Sequence, residues 1–136
     1  MITYVDSSVL LRVIQGAAGA LESWQEITPV SSQLLRVECL RVIDRARARG
    51  ATGDLTAASD RAAILDAVSA FTLASVSDHV LERAADPFPT ALGTLDAIHL
   101  ATALELRNIH PDLQVATHDQ ELATAARAVG FSVVGA

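Results

Sequence analysis

The sequence contains 136 residues, 51% of them hydrophobic, and carries a formal net charge of −6. This length is enough for one hydrophobic core, so we expect a single domain over residues 1–136. All ten basic residues are arginines. This excludes P-loop phosphate binding and Schiff-base catalysis, which need a lysine. The negative charge excludes a protein that coats nucleic acid through a broadly basic surface.

The apolar runs and the N-terminus of the sequence bear on cellular location. No run reaches the ~20 uncharged residues of a membrane helix, and the start of the chain lacks the basic and long apolar parts of a secretory signal. We therefore expect a cytoplasmic protein without membrane contact. The single cysteine, Cys39, lies on an apolar helix stripe, and we expect it to be buried and unreactive.

The first part of the chain alternates extended and helical patterns. Runs of β-branched and aromatic residues predict strands, whereas serines before apolar residues at helical spacing predict helix starts. The predicted segments, in order, are a strand over residues 2–5, a helix opened by Ser7 and Ser8, a helix over 17–27, an extended segment over 29–30, and a helix capped by Ser31 and Ser32 that reaches Arg49.

The remainder of the chain continues this alternation. The predicted segments are helix 55–70, strand 71–76, helix 80–85, helix 94–106, strand 113–117, helix 119–129 and strand 131–134. Alternating strands and helices predict an α/β fold, with a central parallel β-sheet and helices on both faces. In such sheets the active site lies beyond the carboxyl ends of the strands. Asp6 and Asp119 fall at such ends.

Four carboxylates stand out by position: Asp6, Glu38, Asp96 and Asp119. Each has a simpler explanation, since Asp6 and Asp119 can cap helices, Asp96 can stabilise a helix N-terminus, and Glu38 can pair with Arg41. Together they predict phosphodiester hydrolysis with Mg²⁺ or Mn²⁺, which carboxylate oxygens bind well. Because converging carboxylates repel, we expect either a bound cation or raised pKa values.

The long helix after Ser32 reverses the sign of the local charge. Residues 36–49 contain five arginines and two acids. The predicted apolar stripe of this helix consists of Leu34, Leu35, Cys39, Val42 and Ala46. Glu38 borders that stripe, and Arg41, Arg45 and Arg49 follow Glu38 along one face. These arginines are candidates to bind nucleic-acid phosphates, although a solvated, ion-paired surface explains them equally well.

The histidines and short motifs limit the other enzyme classes. His99 follows Asp96 by three residues and shares its helix face, so it is a candidate metal ligand or, more simply, a residue that supports the site. No two histidines have the spacing of a zinc-protease motif. No serine-hydrolase elbow or glycine-rich dinucleotide loop occurs either.

Four segments spread along nearly the whole chain form one pattern: YVDSSVL (4–10), SSQLLRVE (31–38), LDAIHLATA (95–103), and ATHD (116–119) followed by residues 122–130. This pattern resembles the PIN-domain endoribonucleases, and among them the VapC-like toxins of bacterial type II toxin–antitoxin systems. The resemblance implies a PIN-like fold, a Mg²⁺ or Mn²⁺ cofactor, and cleavage of single-stranded or loop RNA.

The resemblance also assigns roles by position. It makes Asp6, Glu38, Asp96 and Asp119 the catalytic acids, with Asp6, Asp96 and Asp119 as metal ligands. Asp119 is the least secure, because the fourth acid varies most in such families. The predicted supporting residues are Ser7, Thr117 and His99.

The partners are implied by the resemblance alone. It predicts a homodimer and a cognate VapB-like antitoxin that inserts an arginine or lysine towards the acids. Two alternatives stay open. One is a catalytically silent PIN-like module that binds RNA or protein. The other is an Mg²⁺-dependent aspartate phosphohydrolase. Such an enzyme would need a second acid two residues after Asp6, where this chain has Ser8, and usually a lysine, which this chain lacks.

Overall fold

The computed structural model describes residues 1–136 and contains one five-stranded parallel sheet. Its strands are β1 (Ile2–Val5), β2 (Thr28–Ser32), β3 (Thr72–Ala74), β4 (Gln114–Ala116) and β5 (Val133–Val134). Their order across the sheet is β3-β2-β1-β4-β5, so the order reverses between β1 and β4. The carboxyl ends of these two strands therefore flank the place where an open parallel sheet forms a ligand crevice.

Six α-helices cover the two faces of the sheet, as predicted. They are α1 (Ser7–Gln15), α2 (Leu34–Ala48), α3 (Asp54–Ser69), α4 (Asp78–Ala85), α5 (Thr94–Arg107) and α6 (Gln120–Ala128). Helices α1, α2 and α3 share one buried cluster, whereas α5 and α6 share the other, and α4 packs against α5. None of these helices is long and apolar enough to cross a membrane.

Alternation along the strands separates the two hydrophobic cores. Tyr4 belongs to the core under α5 and α6, whereas the next residue, Val5, belongs to the core under α1, α2 and α3. Val115 and Ala116 of β4 alternate in the same way. Successive side chains of a strand point to opposite faces, so β1 and β4 each contribute to both cores. The next residue after β1, Asp6, then leaves the sheet at its carboxyl edge.

The prediction of a helix over residues 17–27 is wrong. Helix α1 ends at Gly16, which adopts a left-handed conformation with φ of 60°, a common helix end. The following segment contains only a 3₁₀ helix, Glu22–Glu26. Leu21, Trp24 and Ile27 still pack against the core. Their spacing of three matches the 3.0 residues per turn of a 3₁₀ helix, which explains the mistaken prediction.

The start and the buried face of α2 also differ from the prediction. Ser31 and Ser32 belong to β2, and Gln33 occupies the N-cap position. Ser32 still helps to begin the helix, because its Oγ accepts a hydrogen bond of 3.0 Å from the backbone N–H of Leu34. The residues of α2 that are fully buried are Leu35, Cys39 and Ile43, whereas Val42 of the predicted stripe is exposed.

The other predicted elements are present with shifted ends. Strands predicted over 71–76, 113–117 and 131–134 are shortened to β3, β4 and β5. The expected burial of Cys39 is confirmed, and burial raises the pKa of its thiol to about 12. A thiol with such a pKa is a poor nucleophile near neutral pH.

Candidate active site

The four acids predicted from the sequence line one cleft at the reversal of strand order. The cleft has a volume of about 520 Å³ and is lined by Asp6, Glu38, Asp96 and Asp119. Asp6 directly follows β1, and Asp119 precedes α6 in the turn after β4. Glu38 lies near the start of α2, and Asp96 lies in the first turn of α5. Residues far apart in the sequence thus meet at this edge of the sheet.

Asp6 is held by side-chain hydroxyls. It occupies the N-cap position of α1, but its carboxylate makes no capping hydrogen bond. Its Oδ2 instead accepts hydrogen bonds of 2.7 Å from the hydroxyls of Ser8 and Thr117. The hydroxyl of Ser7 lies 3.3 Å from Oδ1. Asp6 is almost fully buried, so these donors stabilise its charge and fix its orientation.

The same hydroxyls connect Asp6 to the turn after β4. The Oγ of Ser8 accepts a hydrogen bond of 3.0 Å from the backbone N–H of His118. The Oγ1 of Thr117 accepts one of 3.0 Å from the backbone N–H of Asp119. Ser8 and Thr117 therefore bridge the ends of β1 and β4. Thr117 and Ser7 were predicted from the sequence as supports of the site, but Ser8, whose contact with Asp6 is shorter than that of Ser7, was not.

Asp119 has a structural role besides its place in the cleft. It is the N-cap of α6, and its Oδ1 accepts hydrogen bonds of 2.8 Å and 3.1 Å from the backbone N–H groups of Glu121 and Leu122. The capping explanation considered for Asp119 is therefore confirmed. Both capping hydrogen bonds are made by Oδ1, so Oδ2 has no capping partner, and Asp119 still lines the cleft.

Asp96 is the carboxylate of the cleft whose pKa departs most clearly from its ordinary value. Burial, followed by the negative charges of Asp119 and Asp6, raises the pKa of Asp96 to about 6. The nearby charge of His99 opposes this shift without cancelling it. This raised pKa is one of the two consequences that the sequence predicted for converging acids. A cation in the cleft would favour the ionised form of Asp96.

Glu38 forms a buried hydrogen-bonded chain with two residues on the other side of the sheet. Its Oε1 contacts the Nε2 of His99, and the Nδ1 of His99 lies 2.7 Å from the hydroxyl of Tyr4. His99 and Tyr4 are fully buried. Burial alone would lower the pKa of His99, but the hydrogen bond and charge of Glu38 raise it above its ordinary value. The alternative pairing of Glu38 with Arg41 does not occur.

The donor set of the cleft suits a divalent cation. Asp6, Glu38 and His99 each offer one ligand atom, and these three atoms lie within 4.8 Å of one another. Carboxylate oxygens bind Mg²⁺ and Mn²⁺, and an imidazole nitrogen suits transition metals. Both nitrogens of His99 already have partners, Glu38 and Tyr4, which favours the supporting role over ligation.

The arginines of α2 differ in their interactions. Arg41 pairs with Asp44 at 2.9 Å, and Arg47 pairs with the same carboxylate at 3.2 Å. Arg45 and Arg49 are exposed and form no ion pair. The ion-paired explanation therefore holds for Arg41, whereas Arg45 and Arg49 stay candidates for phosphate binding.

Comparison with known proteins adds evidence of family. The sequence-family model of the PIN domain matches residues 3–128 of this chain. Ribonuclease VapC35 of Mycobacterium tuberculosis H37Rv is 34% identical, over 96% of this chain and 94% of that protein. Ribonuclease VapC46 of the same strain is 32% identical, over 96% and 95%. A chain of a toxin–antitoxin complex from Klebsiella pneumoniae has the same fold, with a TM-score of 0.61, 18% identity, and coverage of 97% of this chain and 95% of that chain. The chain therefore belongs to the PIN-domain family and is similar over nearly its whole length to VapC ribonucleases.

Proposed function

We propose that this protein is a metal-dependent endoribonuclease and the toxin of a toxin–antitoxin pair. The observation that carries the proposal is the convergence of Asp6, Glu38, Asp96 and Asp119 on one cleft. The relatives named as ribonucleases support RNA as the substrate. The cleft is open to solvent, so an unstacked nucleotide in a single-stranded or loop region can reach the acids.

The four acids are the proposed catalytic set, and Asp6, Asp96 and Asp119 are the proposed ligands of Mg²⁺ or Mn²⁺. A bound cation would activate water and stabilise negative charge on the phosphate. The hydroxyls of Ser8 and Thr117 keep the Asp6 carboxylate in one orientation. The raised pKa of Asp96 supports the proposal, because its causes, burial first and then the negative charges of Asp119 and Asp6, are ones that a bound cation would offset.

The exposed arginines at the end of α2 are proposed contacts for RNA phosphates. Arg45 and Arg49 are on the same helix face as Glu38, and neither is neutralised by an acid. In a chain with net charge −6, such a local positive strip can guide a polyanion towards an otherwise acidic cleft. Arg41 contributes less in this proposal, because Asp44 already pairs with it.

The proposed partners are a VapB-like antitoxin and a second copy of this chain. An antitoxin that places an arginine or lysine in the cleft would neutralise the four acids and block RNA. The fold shared with a chain of a toxin–antitoxin complex and the similarity to VapC ribonucleases support the antitoxin. Light scattering of the purified chain would test the homodimer.

The proposed function is tested by incubating purified, antitoxin-free protein with a pool of structured RNAs, in Mg²⁺, in Mn²⁺ and in chelator. We expect cleavage in the metal arms alone, and we expect Asp96→Asn to remove it. Asp112→Asn is the matched control, because Asp112 is an exposed acid outside the cleft. No cleavage by well-folded, metal-bound protein would refute the enzyme and favour the catalytically silent binding module.

A further inference from the structure

The hydrogen-bonded chain of Tyr4, His99 and Glu38, here called the buried triad, joins three elements of the fold. Tyr4 lies in β1, His99 in α5 and Glu38 in α2. Tyr4 and His99 are 1% and 0% exposed, and the Glu38 side chain is 16% exposed. Only Glu38 of the three lines the cleft. The triad thus runs from the core to the site and ends there at one carboxylate.

The chemistry of the triad fixes the direction of its hydrogen bonds. Burial raises the pKa of the Tyr4 phenol, so this group keeps its proton. When His99 is neutral, Tyr4 can donate to Nδ1, and Nε2 then carries the proton that faces Glu38. When His99 is protonated, both ring nitrogens donate. In either state Nε2 donates to the carboxylate of Glu38.

This donation leaves one oxygen of Glu38 available to the cleft. His99 occupies Oε1, and no other group hydrogen-bonds to Glu38. A glutamate has several rotatable bonds, so without His99 it would sample positions away from Asp6. With His99 in place, ligand atoms of Glu38 and Asp6 lie within 4.8 Å of each other. Asp6 does not depend on His99, because the hydroxyls of Ser8 and Thr117 hold it.

We infer that His99 and Tyr4 are positioning residues that hold Glu38 beside Asp6 and thereby set the divalent-cation affinity of the cleft. The inference rests on the proposed function in one respect, since the cleft must bind a metal, and it adds Glu38 to the proposed ligands Asp6, Asp96 and Asp119. Hydrogen-bond partners behind metal ligands are known to change metal affinity by about 10- to 100-fold when they are removed. Neither His99 nor Tyr4 touches the substrate in this account.

The test is Mn²⁺ titration of the full-length, antitoxin-free protein by calorimetry. We expect His99→Leu to weaken Mn²⁺ binding by about 10-fold or more. His99→Gln should recover most of the affinity, because its amide nitrogen can replace Nε2 as the donor to Glu38. Tyr4→Phe removes one hydroxyl and should cause a smaller loss. It keeps the test valid if the leucine variant does not fold, which circular dichroism will show.

A double-mutant cycle separates positioning from packing. If His99 acts through Glu38, the substitutions His99→Leu and Tyr4→Phe should cost no further Mn²⁺ affinity in a Glu38→Gln background. Equal losses in both backgrounds would overturn the inference, because they would show a general packing effect. Unchanged affinity in folded His99→Leu and Tyr4→Phe, or no Mn²⁺ binding by the wild type, would also overturn it.

The same proteins distinguish failure of the inference from failure of the proposed function. Wild-type protein that binds Mn²⁺, with the expected order of variants, but cuts no RNA would refute the ribonuclease and support the triad. Wild-type protein that cuts RNA, with variants that bind Mn²⁺ normally, would refute the triad alone.

Discussion

The two sides of the acidic cleft are built differently. On the strand side, Asp6 and Asp119 accept hydrogen bonds from hydroxyls and backbone N–H groups close to them in the fold. On the helix side, Glu38 has a single hydrogen-bond partner, His99. Asp96 receives no hydrogen bond that offsets its burial, and its pKa is raised to about 6.

The difference separates carboxylates that hydrogen bonds within the protein stabilise from Asp96, whose charged form is disfavoured by burial and by neighbouring carboxylates. The strand side satisfies its acids through donors that remain in place whether or not a metal is bound. The helix side places Asp96 among other negative charges. We therefore expect the strand side to determine geometry and Asp96 to determine how strongly the fold responds to pH and to metal.

The largest expected effect is on the strand side, at Asp119. Asp119→Asn should lower RNA cleavage on the order of 10³-fold, since it removes the charge of a proposed ligand of the metal that would stabilise the transition state. Asparagine caps helices as well as aspartate does, so the melting temperature should stay close to that of the wild type. Single-turnover cleavage and thermal melting measure both. A variant that stays active would reduce Asp119 to a helix cap.

The next effect concerns the hydroxyls that orient Asp6. Thr117→Val and Ser8→Ala should each reduce cleavage and Mn²⁺ affinity by about 10- to 100-fold, because Asp6 loses a donor and its link to the turn after β4. Thr124→Val is the matched control, since Thr124 is an exposed threonine of α6. Loss equal to that of the control would show that these hydroxyls do not serve the site.

At Asp96, on the helix side, we expect a moderate effect on stability that depends on pH. A carboxyl group whose pKa is raised to about 6 binds more protons in the folded than in the unfolded protein between about pH 4 and 6. Stability from Asp96 therefore falls as pH rises through this window and stays low above it. In chelator at pH 7, Asp96→Asn should raise the melting temperature by about 2–4 °C.

The pH dependence supplies the control for that prediction. The advantage of Asp96→Asn should disappear near pH 4, where the wild-type carboxyl is protonated, and Asp112→Asn should show no advantage at either pH. Mn²⁺ should stabilise the wild type more than Asp96→Asn at pH 7. A pH-independent gain in melting temperature would contradict the assigned electrostatic cause.

The smallest effect is expected outside the cleft, at the end of α2. Arg45→Gln and Arg49→Gln should each weaken RNA binding a few-fold and lower the slope of log K against log salt by about one. Arg47→Gln is the matched control, because Arg47 already pairs with Asp44. Filter binding at several salt concentrations measures the slopes. Equal slopes for all three variants would show that Arg45 and Arg49 do not contact RNA phosphates.

The parts that could be predicted from the sequence are those encoded by local pattern. Strand and helix alternation gave the parallel sheet, and a carboxylate after a strand is placed at the sheet edge whatever the exact packing. Asp6 and Asp119 were therefore found. The helix over residues 17–27 was predicted wrongly, because a spacing of three apolar residues does not distinguish a 3₁₀ turn from an α-helix over so short a stretch.

The missed features depend on side-chain direction and long-range register. Ser7 and Ser8 differ by about 100° around α1, and only the pairing of β1 with β4 shows that Ser8 faces His118. The contact of Tyr4 with His99 requires the packing of α5 against the sheet. No local pattern marks Tyr4, since a tyrosine in a buried strand is an ordinary core residue.

The most direct test of the central claim is anomalous diffraction from crystals of the full-length protein soaked in Mn²⁺. We predict an anomalous peak in the cleft from an ion coordinated by Asp6, Asp96 and Asp119, and no such peak in Asp96→Asn crystals. Mn²⁺ bound only elsewhere on the protein, or no peak in the cleft of a protein that still cuts RNA, would contradict it.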